Sequence, residues 1–216
     1  MDLSVLYKLT YGMYAIGTLD GTRPAGCIVN TVIQVTSERP IVAVSMNKNN
    51  FTYEAIKKSG RFSISILSEA VDRNVIAELG FACGREIDKF CGKNFACGVL
   101  DGLPIVKEHV CGYMICEVIA IHDAETHCVI MARLTDTLAG ADESPMTYEY
   151  YHKVVKGKAP KNAPTYQEEA PQAEKPDKIR YICEVCGYIY EGDITKEPDD
   201  YVCPICKQPK SRFKKM

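Results

Sequence analysis

The chain has 216 residues, 46% of them apolar, and a formal net charge of -2. That is enough apolar surface for one medium domain and a small one, which excludes a disordered chain. The balanced charge, without a long basic block, excludes a nucleic-acid footprint, and no apolar run is long enough to span a bilayer. With no basic start followed by an apolar stretch and a cleavage site, a cytoplasmic location is expected, with no nucleic acid and no membrane as partner.

In chain order, Tyr14-Ala15-Ile16-Gly17-Thr18-Leu19 reads as a strand ending in the turn Asp20-Gly21. Gly26 to Val29 and Ile41 to Val44 supply further strands. Helical spacing covers Phe51 to Ser59, stopped by Gly60, and Val71 to Leu79, with Ser68 as the expected N-cap and Gly80 as the stop. Tyr113 to Ile121 and Val129 to Leu134 are apolar strands joined by the polar stretch Asp123 to Thr126. The fold class is therefore mainly β, with peripheral helices around a barrel expected to remove its sheet edges. No GxGxxG or GxxxxGK[ST] sequence occurs, so neither a Rossmann site nor a P-loop is expected.

Residues 157–177 are rich in Pro, Ala, Lys and Glu and poor in large apolar side chains, which marks a linker between a domain at 1–156 and one at 178–216. Of eleven cysteines, seven (Cys27, Cys83, Cys91, Cys97, Cys111, Cys116 and Cys128) are scattered and read as reduced, buried small apolar residues. The other four are paired: Cys183-x-x-Cys186, sixteen residues, then Cys203-x-x-Cys206. Four thiolates at that spacing make a closed tetrahedral metal shell, and a module this short draws much of its stability from the ion. Spacing alone leaves iron and a zinc ribbon equally open.

The residues around the cysteines favour iron. Tyr181, Tyr188, Tyr190, Tyr201 and Phe213 can pack a dry core behind the metal, and Gly187 permits a backbone that turns amides toward sulfur, both of which tune a redox centre. Tyr181 to Tyr190, then Asp199 to Cys206, resemble rubredoxin over the whole module. Three features depart from that family: a shorter segment between the knuckles, Lys207 in place of the usual glycine, and Tyr201 where tryptophan is common.

Upstream, Asn47, Lys48, Asn49, Asn50 and Thr52 form a polar cluster at the start of the first helix. Short amides, a hydroxyl, a cation and free helical amides suit a phosphate, and a solvated turn with a helix cap is the competing reading. From Gly12 to His127 the chain resembles the flavin reductase-like family of FMN-binding split barrels, on Tyr14 to Thr18, Val29 to Ser37 and Val44 to Thr52. The resemblance implies that Asn30, Thr31, Val32, Gln34 and Thr36 lie along the flavin ring, with alternation turning only part of the set toward it. It implies Ser45, Asn47, Lys48, Asn49, Asn50 and Thr52 on the cofactor as well, and His127 as a catalytic candidate near the nicotinamide face. His152 lies in a segment able to close a pocket or a dimer contact.

Together the two halves are similar to the family called high-molecular-weight rubredoxins. The pairing implies an NAD(P)H-oxidising oxidoreductase whose cofactors are FMN and one Fe, NADH or NADPH as electron donor, a homodimer, and a flavodiiron-type protein as acceptor reducing nitric oxide or dioxygen. Two alternatives remain at this stage: a non-enzymatic electron relay filled by a separate reductase, and an FMN-binding sensor with a zinc ribbon.

Overall fold

The computed structural model describes residues 1–90, 94–155 and 179–216; Cys91 and the expected linker lie outside them. After a 3-10 turn at Leu3–Lys8 come β1 (Tyr14–Asp20), β2 (Arg23–Val29), β3 (Val32–Thr36) and β4 (Ile41–Asn47). α1 (Phe51–Ser59), β5 (Arg61–Leu67) and α2 (Arg73–Phe81) follow. A small hairpin, β6 (Cys97–Leu100) and β7 (Leu103–Val106), precedes the long hairpin β8 (Val110–Ala124) and β9 (His127–Ala139). A helical turn, α3 (Tyr148–Tyr150), runs into a π-helical turn at Tyr151–Val155.

The seven long strands form one antiparallel sheet in the order β2-β1-β5-β8-β9-β4-β3. β2 and β3 are therefore its two edges, yet only Asn30 and Thr31 separate them in the chain. Consecutive Cα atoms are about 3.8 Å apart, so the sheet has to coil until its edges nearly meet. The result is a barrel with a slit, not the edge-free barrel that strand composition suggested. The slit persists because Val29 and Val32 are joined along the chain, not by a ladder.

One buried cluster fills the barrel: Ile16, Val44, Met46, Ile56, Phe62, Ile64, Cys116 and Ile130 are at most 2% exposed. α1 covers β1 and β2. It begins where expected, with the Asn50 side chain accepting from Thr52 N at 2.8 Å, and ends at Gly60 with a left-handed φ of 70°. α2 departs from expectation: Asp72 is its N-cap, accepting from Asn74 N at 2.8 Å, and Gly80 lies inside it. Ser68 instead bonds the Glu143 carboxylate and accepts from Ala70 N, tying β5 to the segment after β9. Gly80 packs beside Ile28 of β2, at a distance where an added Cβ would make ordinary van der Waals contact at 3.6 Å. The thiols also differ from a uniformly buried set: Cys27, Cys116 and Cys128 are buried, Cys97 and Cys111 are half-buried, and Cys83 is exposed.

The C-terminal module is a three-stranded sheet in the order β11-β10-β12, with β10 at Arg180–Cys183, β11 at Ile189–Glu191 and β12 at Phe213–Lys215. Tyr201 stands 5.7 Å from the Tyr190 ring and 6.0 Å from Phe213, and Tyr188 meets Phe213 edge-on, so the aromatic core expected behind the metal is present.

Candidate electron-transfer site

The sulfur atoms of Cys183, Cys186, Cys203 and Cys206 lie within 4.8 Å of one another, and all four residues are buried. Two hairpin knuckles bring them together. Each repeats the same pattern: the Cys186 amide donates to the Cys183 sulfur and the Tyr188 amide to that of Cys186, while Cys206 and Gln208 amides do the same for Cys203 and Cys206. Amides aimed at sulfur stabilise thiolate charge and so set the potential of an ion held there. The backbone turn that aims them is left-handed in both knuckles, with φ 72° at Gly187 and 56° at Lys207.

Lys207 thus holds a conformation that glycine adopts freely and an L side chain does not. Replacing it by Gly is expected to stabilise the module by about 0.5–1 kcal/mol, the relieved backbone strain less the extra freedom glycine adds to the unfolded chain. The midpoint of denaturant-induced loss of the metal chromophore reads the change directly.

Two adjoining cavities open around the barrel slit. The one of about 340 Å³ is lined by Asn30, Ser45, Asn47, Asn49, Asn50 and Lys89 on its polar side, and by Ile28, Val29, Ile76, Leu79, Tyr148 and Tyr151 on its apolar side. The other, of about 560 Å³, is lined by Thr31, Val32, Ile33, Tyr11, Tyr14 and Val129 among others, and it shares Met13, Asn30 and Ser45 with the first. Of the two residues that span the slit, Asn30 therefore stands where the cavities meet, and Thr31 lines the larger one.

The structure brings together Asn30, Thr31, Val32, Ser45, Asn47, Asn49 and Asn50 from the expected set. It leaves five apart. Gln34 and Thr36 are exposed at the far end of β3, on either side of a bulge, bonding locally to Thr36 O and Arg39 O. Lys48 pairs with Asp123 on the surface. Thr52 is 1% exposed, with its amide committed to the α1 cap. His127 sits opposite Asn47 in the β4–β9 ladder, with Nδ1 2.9 Å from Thr126 Oγ1, and lines neither cavity.

Lys89 is the residue that sequence reasoning missed. It is 5% exposed and donates from Nζ to Leu79 O at 2.9 Å. Burial pushes its pKa down, and the neighbouring Cys27, Cys83 and Glu78 oppose that. An ammonium buried beside a polar cavity gains from an anion entering it. Arg85, from the same loop, also lines the cavity, and it pairs with Glu54 while lying 5.7 Å from the Phe51 ring. Arg23 holds the loop from the other side, donating to Gly84 O at 2.8 Å.

These residues fit FMN on their own chemistry. Asparagines, a serine and a buried cation form one end, suited to a phosphate and a hydroxylated chain. Aliphatic and tyrosine side chains form the other, suited to a flat ring. The four-thiolate shell likewise fits iron, with four soft ligands in a dry, amide-lined pocket.

Comparison with known proteins gives the same division. Residues 6–158 match the family described as flavin reductase like domain, and residues 181–214 match the rubrerythrin, rubredoxin-like domain. The high molecular weight rubredoxin of Moorella thermoacetica is 37% identical, with 100% of each chain covered. The ferric-chelate reductase (NAD(P)H) of Archaeoglobus fulgidus is 34% identical over 78% of this chain and 99% of its own. Among solved structures, the flavin reductase PheA2 superposes with a TM-score of 0.57 at 20% identity, covering 68% of this chain and 93% of that one, a likeness of fold. The chain belongs to the flavin reductase-like family, in the form that the high-molecular-weight rubredoxins take, with a four-cysteine rubredoxin-like domain following the split barrel.

Proposed function

We propose that the chain oxidises a reduced nicotinamide nucleotide, NADH or NADPH, through FMN held in the barrel cavities, and passes the electrons through an iron on the four cysteines to a flavodiiron-type protein. The observation that carries this reading is a cavity with a polar, cationic end and an apolar, aromatic end in the same chain as a closed four-thiolate shell. FMN, when bound, supplies the conversion between the two-electron donor and the one-electron metal centre.

The chain's own residues bind, orient and exclude water. Lys89, Asn47, Asn49 and Asn50 hold the phosphate end, and Asn30, Thr31, Val32 and Ser45 hold the ring along the slit. Cys183, Cys186, Cys203 and Cys206 hold the iron. The exposed edge strand β3, where Ile33 is 63% and Val35 45% exposed, supports a homodimer formed across that edge. The exposed, reduced Cys83 supports a reducing, cytoplasmic setting.

Anaerobic titration of the purified protein with NADH, followed by visible absorption, is the test. Bleaching of the flavin band and then of the ferric thiolate bands is expected. A flavin left oxidised by NADH and NADPH would make the chain a relay filled by another reductase, and a colourless module containing zinc would make it a sensor. Lys89→Met is expected to weaken FMN binding by about 10- to 100-fold, since a hydrogen bond to a charged group contributes about 1.5–3 kcal/mol. Unchanged flavin affinity, read by fluorescence on dilution, would move the phosphate elsewhere.

A further inference from the structure

The first metal knuckle does not stand clear of the barrel. Val185, between Cys183 and Cys186, lines the 340 Å³ cavity together with Tyr148, Tyr151, Ile76 and Leu79. The buried cluster that runs through α2 and the segment after β9, with Leu79, Ile76, Met146, Tyr151 and Val155, continues into all four cysteines, Ile205 and Phe213. Tyr151 is 2% exposed, and its hydroxyl has no hydrogen-bond partner among the described residues. It shares that buried cluster with Cys186, Cys203 and Cys206.

Its position is fixed from the barrel side. Gly12 and Thr147 form a β-bridge, Tyr148 N donates to Tyr11 O at 2.8 Å, and the Tyr148 and Tyr151 rings stack at 6.3 Å. One tyrosine therefore lines the cavity and belongs to the buried cluster that holds the four cysteines.

We propose that the first knuckle is a plug for the flavin cavity: Val185 seats at the opening against Tyr148 and Tyr151, so that the iron module and the nicotinamide use the same opening by turns. The inference rests on the function proposed above, in that the cavity is the one FMN enters. Three features argue for docking over chance proximity. The contact is apolar at its centre, it continues an existing core, and it takes in Tyr151, a residue that also lines the cavity. A bound nicotinamide and a seated Val185 cannot occupy one opening together. Docking then lowers apparent nicotinamide affinity by the fraction of time the plug is out.

The test is Val185→Asp in the full chain, with Val185→Ile as the conservative control. A carboxylate has to leave an apolar seat, whereas isoleucine keeps it. Amide hydrogen exchange on the metal-loaded protein reads docking without reference to activity. Protection at α2 and at residues 148–155 is expected to fall in Val185→Asp and to persist in Val185→Ile, with the metal chromophore intact in both. On the FMN-loaded protein, flavin release after dilution is expected to be about tenfold faster in Val185→Asp, the scale of one buried valine contact, and the KM for NADH with an artificial acceptor is expected to fall.

Equal protection and equal release in wild type and Val185→Asp would overturn the plug. Failure of NADH to bleach the flavin, with protection and release changing as described, would instead overturn the proposed donor and leave the docking in place.

Discussion

Replacing Cys203 by Ser is expected to abolish the metal chromophore and unfold the C-terminal module, leaving the barrel folded. Cys203 is fully buried, and its sulfur lies 3.5 Å from that of Cys186. A hydroxyl there is a harder, less acidic ligand that leaves the ion with three thiolates. The module has few other resources: its strands are three or four residues long, and its buried residues besides the ligands are Ile194, Ile205 and Phe213. For small four-ligand sites the binding free energy is the folding free energy, about 10–16 kcal/mol for structural zinc in finger peptides, so loss of one ligand removes most of the module's stability. Metal analysis together with visible absorption checks this. A variant that keeps stoichiometric metal and a visible spectrum would mean that Cys203 is not a ligand.

Phe62→Ala is expected to lower the stability of the barrel by about 3–5 kcal/mol. Phe62 lies on β5, between β1 and β8, and is among the largest side chains without solvent exposure. Ile16, Ile64, Cys116 and Ile130 lie in the same cluster, and backbone ladders on both sides hold β5 in place, so the cavity cannot readily collapse. Against a total stability of about 5–15 kcal/mol for a domain, that loss brings the barrel near its threshold. Flavin release and loss of secondary structure should then move together to lower denaturant. The metal chromophore should outlast them, because all four ligands come from two short knuckles within the C-terminal module. If the metal spectrum and the barrel melt together in the variant, the two clusters form one cooperative unit.

Local chemistry in the sequence was sufficient for the elements it governs. The Asn50 cap and the Gly60 stop bound α1 where the pattern placed them, because both act within a turn of the helix. α2 was misjudged at both ends: Ser68 is drawn away to Glu143 by a tertiary contact, and Gly80 lies within the last turn instead of ending the helix. β1, β2, β4, β8 and β9 were legible as strands, but β5 was not read, and the strand order was out of reach: β5 is buried on both faces, between β1 and β8, by a pairing that local pattern does not reveal.

The four thiolate ligands were legible because two short spacings bring them together with no need of the rest of the fold. Lys89 was not. It lies in an ordinary polar stretch, Glu86-Ile87-Asp88-Lys89-Phe90, where Asp88 caps its own turn by accepting from Phe90 N, and only packing against α2 buries the ammonium. The seat of Val185 depends on Tyr148 and Tyr151, which are more than thirty residues away in the chain and lie in a segment expected to close a pocket or a dimer contact.

The uneven burial of the thiols gives the protein an internal label. Alkylating reagents attack the thiolate, and burial pushes the Cys27 thiol up and that of Cys116 up to about 12, so both stay protonated and out of reach at neutral pH. Cys83 is exposed and lies on the wall of the cavity that holds Asn30 and Lys89. Its rate of alkylation therefore registers whether that cavity is filled, by flavin or by the knuckle, without any engineered probe and without turnover.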